Sequence, residues 1–194
     1  MITNSESSEK LWNQRYSDNP IGKEVSFFLS EIEDLLPDSG SAVDLAGGNG
    51  QNAIWFTRRG FATTLIDIST VALEQAQTES KSNGVTLECI HHDLEKYLMP
   101  SGRAWDVAFI QLFLDRELIK KIPNSLNDDG LFLFAHPTRI NLEKHPHPSE
   151  RFLLEAGEIY SLADELASMR ILKVNEQWRP SGRHEAWLVA QKVN

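Results

Sequence analysis

Short apolar runs alternating with amphipathic stretches set the organisation of this chain. Residues 42–46 are apolar apart from one aspartate and predict a strand. The stretch 51–59, closed by Gly60, predicts the helix that follows. The pattern then repeats. Ala62–Ile66 reads as a strand ending at Asp67, and 70–83 as a helix with Val71, Leu73 and Ala76 on its apolar face and Gly84 at its end. Val85–Ile90 and Trp105–Ile110 read as further strands, the latter a nearly continuous apolar run suited to burial on both faces. Asp115 is placed to cap a short helix over 116–122, and Asn127–Gly130 reads as a turn into a strand at Leu131–Ala135. Strands and helices in strict succession predict an α/β fold with a mostly parallel sheet.

The two ends depart from that rhythm. Residues 1–8 read as disordered, and Trp12 and Tyr16 then share one face of a short helix. An amphipathic helix is expected over 23–36, with Val25, Phe28, Leu29, Ile32, Leu35 and Leu36 on its apolar face and Pro37 and Gly40 stopping it. Residues 136–150 are polar, with three prolines and three histidines, and read as a loop over the active face. A helix over 156–167 precedes two alternating segments, one marked by Leu172, Val174 and Trp178, the other by Ala186, Leu188 and Ala190. They are joined by 179–184, which predicts a hairpin and a reversed last strand.

Candidate chemistry centres on Ala42–Ala53. The first strand ends in Asp44 and Leu45, after which Ala46 precedes three glycines, Gly47, Gly48 and Gly50. Glycine suits a sharp turn, or backbone that lies against a ligand with no side chain between them. A helix opening next presents free N–H groups and a positive dipole end. Gly48-x-Gly50-x-x-Ala53 fits the dinucleotide fingerprint, with Asp67 about 20 residues on. The same residues, read from Asp44 to Gly50, fit the acidic-x-G-x-G-x-G motif for S-adenosylmethionine (SAM). Asp44 separates the two readings: a carboxylate there would repel a pyrophosphate, whereas it suits a ligand carrying an ammonium and a sulfonium.

The stretch Val43–Phe56 closely resembles the DLGCGxGRNAxxLA segment of class I SAM-dependent methyltransferases, including the small tellurite-resistance type, with Ala46 in place of the first glycine. Leu11–Tyr16 followed by Pro20-Ile21-Gly22 is similar to the N-terminal W-x-x-R-W/Y…IG segment of the thiopurine and tellurite types. Phe152–Ile159 resembles the F-L-L-R-P-G-E-L stretch of the tellurite type, with Glu155 where a basic residue is usual. The resemblance implies a Rossmann-like three-layer αβα sandwich with a seven-stranded, mostly parallel sheet and a reversed seventh strand. It implies one domain over 1–194, with residues 1–36 as N-terminal helices or flap and 41–194 as the catalytic core.

The resemblance also assigns roles. Trp12 would touch SAM, with Arg15 as its neighbour. Asp44, Ala46, Gly47, Gly48, Gly50 and Asn52 would form the cofactor loop. Asp67 would hold the ribose hydroxyls, with Ile68 beside it and Ser69 capping the next helix. Asp93 and the Leu94 backbone would meet the adenine, and Gln111 would line the pocket. Arg183 and His184, where the hairpin enters its last strand, would serve the methyl acceptor, a turn histidine being the alternative.

Composition narrows the partners. The chain has 194 residues, long enough for one domain with a substantial core. A formal net charge of −9 without a basic stripe argues against nucleic acid and for a small-molecule acceptor. No apolar run has bilayer-spanning length, the N-terminus is unlike a signal peptide, and the single Cys89 fits a reducing, cytoplasmic setting. His91-His92-Asp93 makes a poor chelate, since neighbours on an extended segment point opposite ways, so no metal is expected. The composite reading is a cytoplasmic SAM-dependent methyltransferase, monomeric or homodimeric, acting on a small soft sulfur, selenium or tellurium acceptor or a small anion. A catalytically silent SAM-binding protein and an NAD-binding oxidoreductase remain as alternatives.

Overall fold

The computed structural model describes residues 4–18, 24–97, 99–166 and 168–193, the backbone alone for 4–6. Its seven strands form one mixed sheet in the order β3-β2-β1-β4-β5-β7-β6. The strands are β1 (Gly40–Leu45), β2 (Phe61–Asp67), β3 (Glu88–His91), β4 (Trp105–Gln111), β5 (Leu126–Pro137), β6 (Met169–Trp178) and β7 (His184–Lys192). The helices are α1 (Asn4–Asp18), α2 (Phe27–Glu31), α3 (Gln51–Arg58), α4 (Thr70–Ser82), α5 (Arg116–Lys121) and α6 (Glu158–Glu165). β1, β2 and β3 pair in parallel, while β7 runs antiparallel to both β5 and β6, as the alternating C-terminal segments predict. Two compact units make up the chain, Met1–Trp105 and Asp106–Asn194.

In the first unit, Ala53 of α3, Leu65 of β2 and Leu73 and Ala76 of α4 are buried together, with Leu87 and the half-buried Cys89 packed on them. Ser69 caps α4 by accepting the Ala72 N–H at 3.1 Å, so β2 passes into α4 through a tight, fully bonded corner. α1 lies against that corner: Asn13 Oδ1 accepts from the Ser69 hydroxyl (2.7 Å) and the Val71 N–H (3.2 Å), and Gln75 donates to the Tyr16 carbonyl (2.9 Å). Residues 4–8 therefore belong to a helix rather than to a disordered tail; the bonds that Asn13 and Tyr16 accept from the start of α4 and from Gln75 anchor a helix whose own polar composition would not stabilise it. Pro20-Ile21-Gly22 lies outside the described residues.

The helix expected over 23–36 is shorter. α2 spans Phe27–Glu31 only and a 3-10 turn follows at Glu33–Leu35. The Ser26 N–H is held by the Asn52 side chain at 2.9 Å, and Arg59 pairs with Glu33. These two tertiary anchors fix both ends of a segment whose apolar periodicity alone suggests a continuous helix. The third strand is likewise shorter than expected: Val85 N–H bonds back to the Ser80 carbonyl, which holds the chain in a turn before Glu88.

In the second unit, Asp115 caps α5 with its Oδ1, which accepts from Glu117 and Leu118, both at 2.9 Å. The turn expected at 127–130 is instead part of β5, which runs from Leu126 to Pro137. Asp129 takes a left-handed φ of 61° there, and its carbonyl accepts from the Gln191 side chain. The acidic residues thus sit on an exposed strand end bonded to β7. Residues 139–143 and 150–152 form 3-10 turns within the polar segment after β5. Among the described residues no helix is long and apolar enough to cross a membrane.

Candidate functional site: a glycine turn over a buried aspartate pair

β1 delivers Asp44 to the floor of the glycine turn, where it is 1% exposed. The carboxyl accepts the Ala53 N–H, and its Oδ2 has no hydrogen-bond partner among the described residues. The turn is closed by Gly50 N–H to the Gly47 carbonyl (3.1 Å) and tied to β2 by Gly47 N–H to the Ile66 carbonyl (3.3 Å). A Cβ on Gly47 would collide with the Asp44 carboxyl and Leu65, and one on Gly48 with the Tyr16 hydroxyl. One on Gly50 would sit 2.8 Å from Ala76 Cβ. Glycine is therefore demanded here by close approach, and at Gly48 (φ 59°) and Gly50 (φ 80°) also by backbone conformation.

Ala46 enters the same left-handed region, at φ 52°. An L-residue there costs about 1–2 kcal/mol. Ala46→Gly is expected to raise stability by about 0.5–1 kcal/mol once the extra unfolded-state freedom of glycine is set against that strain. A urea midpoint measurement checks it, and an unchanged or lowered midpoint would show that Ala46 is not strained.

Asp67 closes β2 beneath the same turn. Its two oxygens accept the Gly48 N–H and the Ser69 N–H, both at 2.8 Å. This buried carboxylate thus ties the glycine turn to the start of α4. Burial raises its pKa, while bonds from the Ser69, Gly48 and Ile68 N–H groups and the nearby His91 lower it. Asp44 lacks that support. Burial, and then the charge of Asp67, push it up to about 8.

Over the turn lies Tyr16, buried, its hydroxyl against Gly48 and its pKa raised by burial and by the two aspartates. Sequence reasoning placed Tyr16 on a face with Trp12 but gave it no site role. The available signal was its spacing, three residues after Asn13 and four after Trp12 on one helix. Trp12 itself is 37% exposed, with the Arg15 guanidinium 4.8 Å from its ring centre.

The remaining expected contacts fall in three places. Asn52 is occupied with the Ser26 N–H, a positioning role for the start of α2. The half-buried Ile68 offers its carbonyl to His91, and Asp93, buried beyond β3 with Leu94, accepts the Glu95 N–H at 3.0 Å. His91 points to Ile68 and Glu9, while His92 lies against the Tyr97 ring.

In the second unit, Gln111 is half-buried at the end of β4 and precedes Leu112, which has a φ of 60°. His184 is buried, its Nδ1 2.7 Å from the Thr138 hydroxyl and its ring edge-on to Trp178. Its N–H donates to Asn141, and His145 meets the Gly182 carbonyl, so residues 138–145 and the hairpin form one bonded cluster. Arg183 is exposed at the hairpin turn. Glu155, which stands where a basic residue is usual, forms an ion pair at 2.7 Å with Arg139, an arginine it shares with Glu150.

Comparison with known proteins agrees with this geometry. Residues 42–130 match the family profile of the methyltransferase domain. The chain is 27% identical over 131 residues to the carboxy-S-adenosyl-L-methionine synthase of Nautilia profundicola, an alignment that covers 61% of this chain and 56% of that protein. The chain thus spans little more than half the length of this curated relative. Its fold is similar to that of TehB from Haemophilus influenzae (TM-score 0.66, 17% identity, 95% of this chain and 66% of that one). It is also similar to magnesium protoporphyrin IX methyltransferase from Synechocystis with bound SAH (TM-score 0.64, 14% identity, 99% and 85%).

Sheet order and the reversed β7 give the fold of the class I methyltransferases, and residues 42–130 carry the match to the methyltransferase domain. Its likeness to TehB is one of fold. The residues present fit the cofactor of the class. A carboxyl oxygen with no hydrogen-bond partner among the described residues lies under the turn, and the three glycines add no side chain of their own, so that Tyr16 is the group packed against Gly48.

Proposed function

We propose that this protein binds SAM at the turn formed by Asp44, Gly47, Gly48 and Gly50 and transfers a methyl group to a small-molecule acceptor. The observation that carries this reading is the buried Asp44 with an unsatisfied oxygen, which a cationic group settling against the turn would satisfy. Asp67 would hold the ribose hydroxyls and Asp93 the adenine, with Trp12 and Tyr16 of α1 shielding the bound group from water. SAM, when bound, supplies a methyl carried on a sulfonium, an excellent leaving group. The chain's own task is then orientation and water exclusion, which can provide roughly 7–11 kcal/mol of the barrier. A soft sulfur, selenium or tellurium acceptor needs no strong base, in keeping with the absence of a buried carboxylate–histidine dyad among the interactions seen around His184 and His136.

His184 is the residue assigned to the acceptor. With Nδ1 engaged by Thr138, Nε2 is the ring atom available to orient or deprotonate it. Arg183 would steady an anionic acceptor. A single domain over 1–194 completes this reading. The turn forms around Ala46, and Glu155 is paired with Arg139, so neither departure from the family pattern favours a silent site.

Calorimetry with SAM and with NAD tests the cofactor, and heat from NAD alone would overturn the proposal. Methyl transfer is to be followed over thiols, selenols, phenols and small oxyanions. His184→Ala is expected to lower kcat/KM for the acceptor by tenfold or more while leaving the Kd for SAM unchanged. An unaltered rate would return His184 to a purely structural role.

A further inference from the structure

We infer that the Asp44–Asp67–Tyr16 cluster is a proton-exchange site: Asp44 is protonated while the turn is empty and releases that proton when a cationic cofactor group settles against it. The inference rests on the cofactor reading above and deepens it by assigning a charge state to the site.

Three ionisable oxygen groups from three elements meet at one glycine turn: Asp44 from β1, Asp67 from β2 and Tyr16 from α1. In a buried setting two neighbouring carboxylates do not both ionise readily. The hydrogen bonds decide which one holds the proton. Asp67 receives Gly48, Ser69 and Ile68 N–H groups, which support its charge. Asp44 receives one, from Ala53, and keeps an oxygen with no partner among the described residues.

Among the described residues no side-chain cation is engaged with Asp44. On β3, His91 acts on Asp67, bonds to the Ile68 carbonyl and pairs with Glu9 of α1. The arginines at the end of α3 face Asn83 and Glu33, and Glu88 of β3 pairs with Arg103. Tyr16, kept neutral by burial and then by the two aspartates, adds a hydroxyl but no charge. A value near 8 for Asp44 agrees with this assignment. A cation placed against the turn supplies the compensation the protein lacks, lowers that value and drives the proton off.

Calorimetry on the full chain with SAM and with S-adenosylhomocysteine, between pH 6 and 7 in buffers of different protonation enthalpy, tests this. The ligands' own α-amino groups largely keep their protons in that range. Release approaching about one proton is expected, with affinity rising by up to about tenfold per pH unit. Asp44→Asn should abolish the release and flatten the profile, whereas His91→Gln should preserve both.

SAM binding with no proton release would overturn the inference and leave the cofactor reading standing. Release that persists in Asp44→Asn, or disappears in His91→Gln, would also overturn it, since the proton would then belong to another group. Failure of both ligands to bind at any pH would overturn the inference and the cofactor reading together. Should Asp44→Asn not fold, the wild-type buffer series and His91→Gln decide the matter without it.

Discussion

Asp67→Ala is expected to raise the Kd for SAM by roughly 10- to 150-fold and to lower the melting temperature at the same time. The side chain satisfies two buried backbone donors, Gly48 and Ser69, at 2.8 Å each. A hydrogen bond to a charged group contributes about 1.5–3 kcal/mol, and an orphaned buried donor costs a similar amount. The double effect distinguishes this residue from a simple ligand contact. Its loss frees the glycine turn from the start of α4, so the turn is weakened before any cofactor arrives. Asp67→Asn should recover only part of the loss, because its amide oxygen can serve one N–H while its NH2 faces the other. Calorimetry and thermal melts on both variants check this, and wild-type affinity in Asp67→Ala would sink the placement of the cofactor over this turn.

The second large effect concerns stability against pH. Asp44, pushed up to about 8 by burial and by Asp67, has a folded-state pKa well above the value of about 4 for an exposed aspartate. Folding therefore favours its protonated form. The associated stability is complete below about pH 4 and is lost as pH rises toward 8. The cofactor-free wild type should melt at progressively lower temperature between pH 5 and pH 8, and Asp44→Asn should lack that component of the slope. The two curves should diverge by about 5–10 °C over this range. The substitution puts an amide in the same buried place at every pH, which makes the divergence, rather than either absolute value, the quantity to measure. Parallel curves would refute the assignment of a buried, protonated Asp44.

Much of the first unit was legible in the residues themselves. The order acid–glycines–amphipathic stretch specifies a strand, a turn and a helix because each part has a local physical cause: β-propensity, access to positive φ, and 3.6-residue periodicity. Ser69 and Asp115 were readable as caps for the same reason, since capping involves residues only two or three apart. The departures were long-range. Ser26 is extended because Asn52, 26 residues away, holds its N–H. Residues 4–8 are helical because Asn13 and Gln75 dock α1 on the start of α4. Tyr16 went unassigned because nothing local to Trp12–Tyr16 indicates a partner at Gly48.

The sequence by itself determined the class of the fold, the reversed last strand and the position of the glycine turn. Those features follow from periodicity, turn chemistry and spacing within one supersecondary unit. Tertiary structure alone decided that Asp67 is a tie between turn and helix, that Asp44 is left with an unsatisfied oxygen, and that Glu155 and Glu150 share Arg139. Charge state and hydrogen-bond supply depend on which distant groups share a buried space, and a linear pattern carries no record of that.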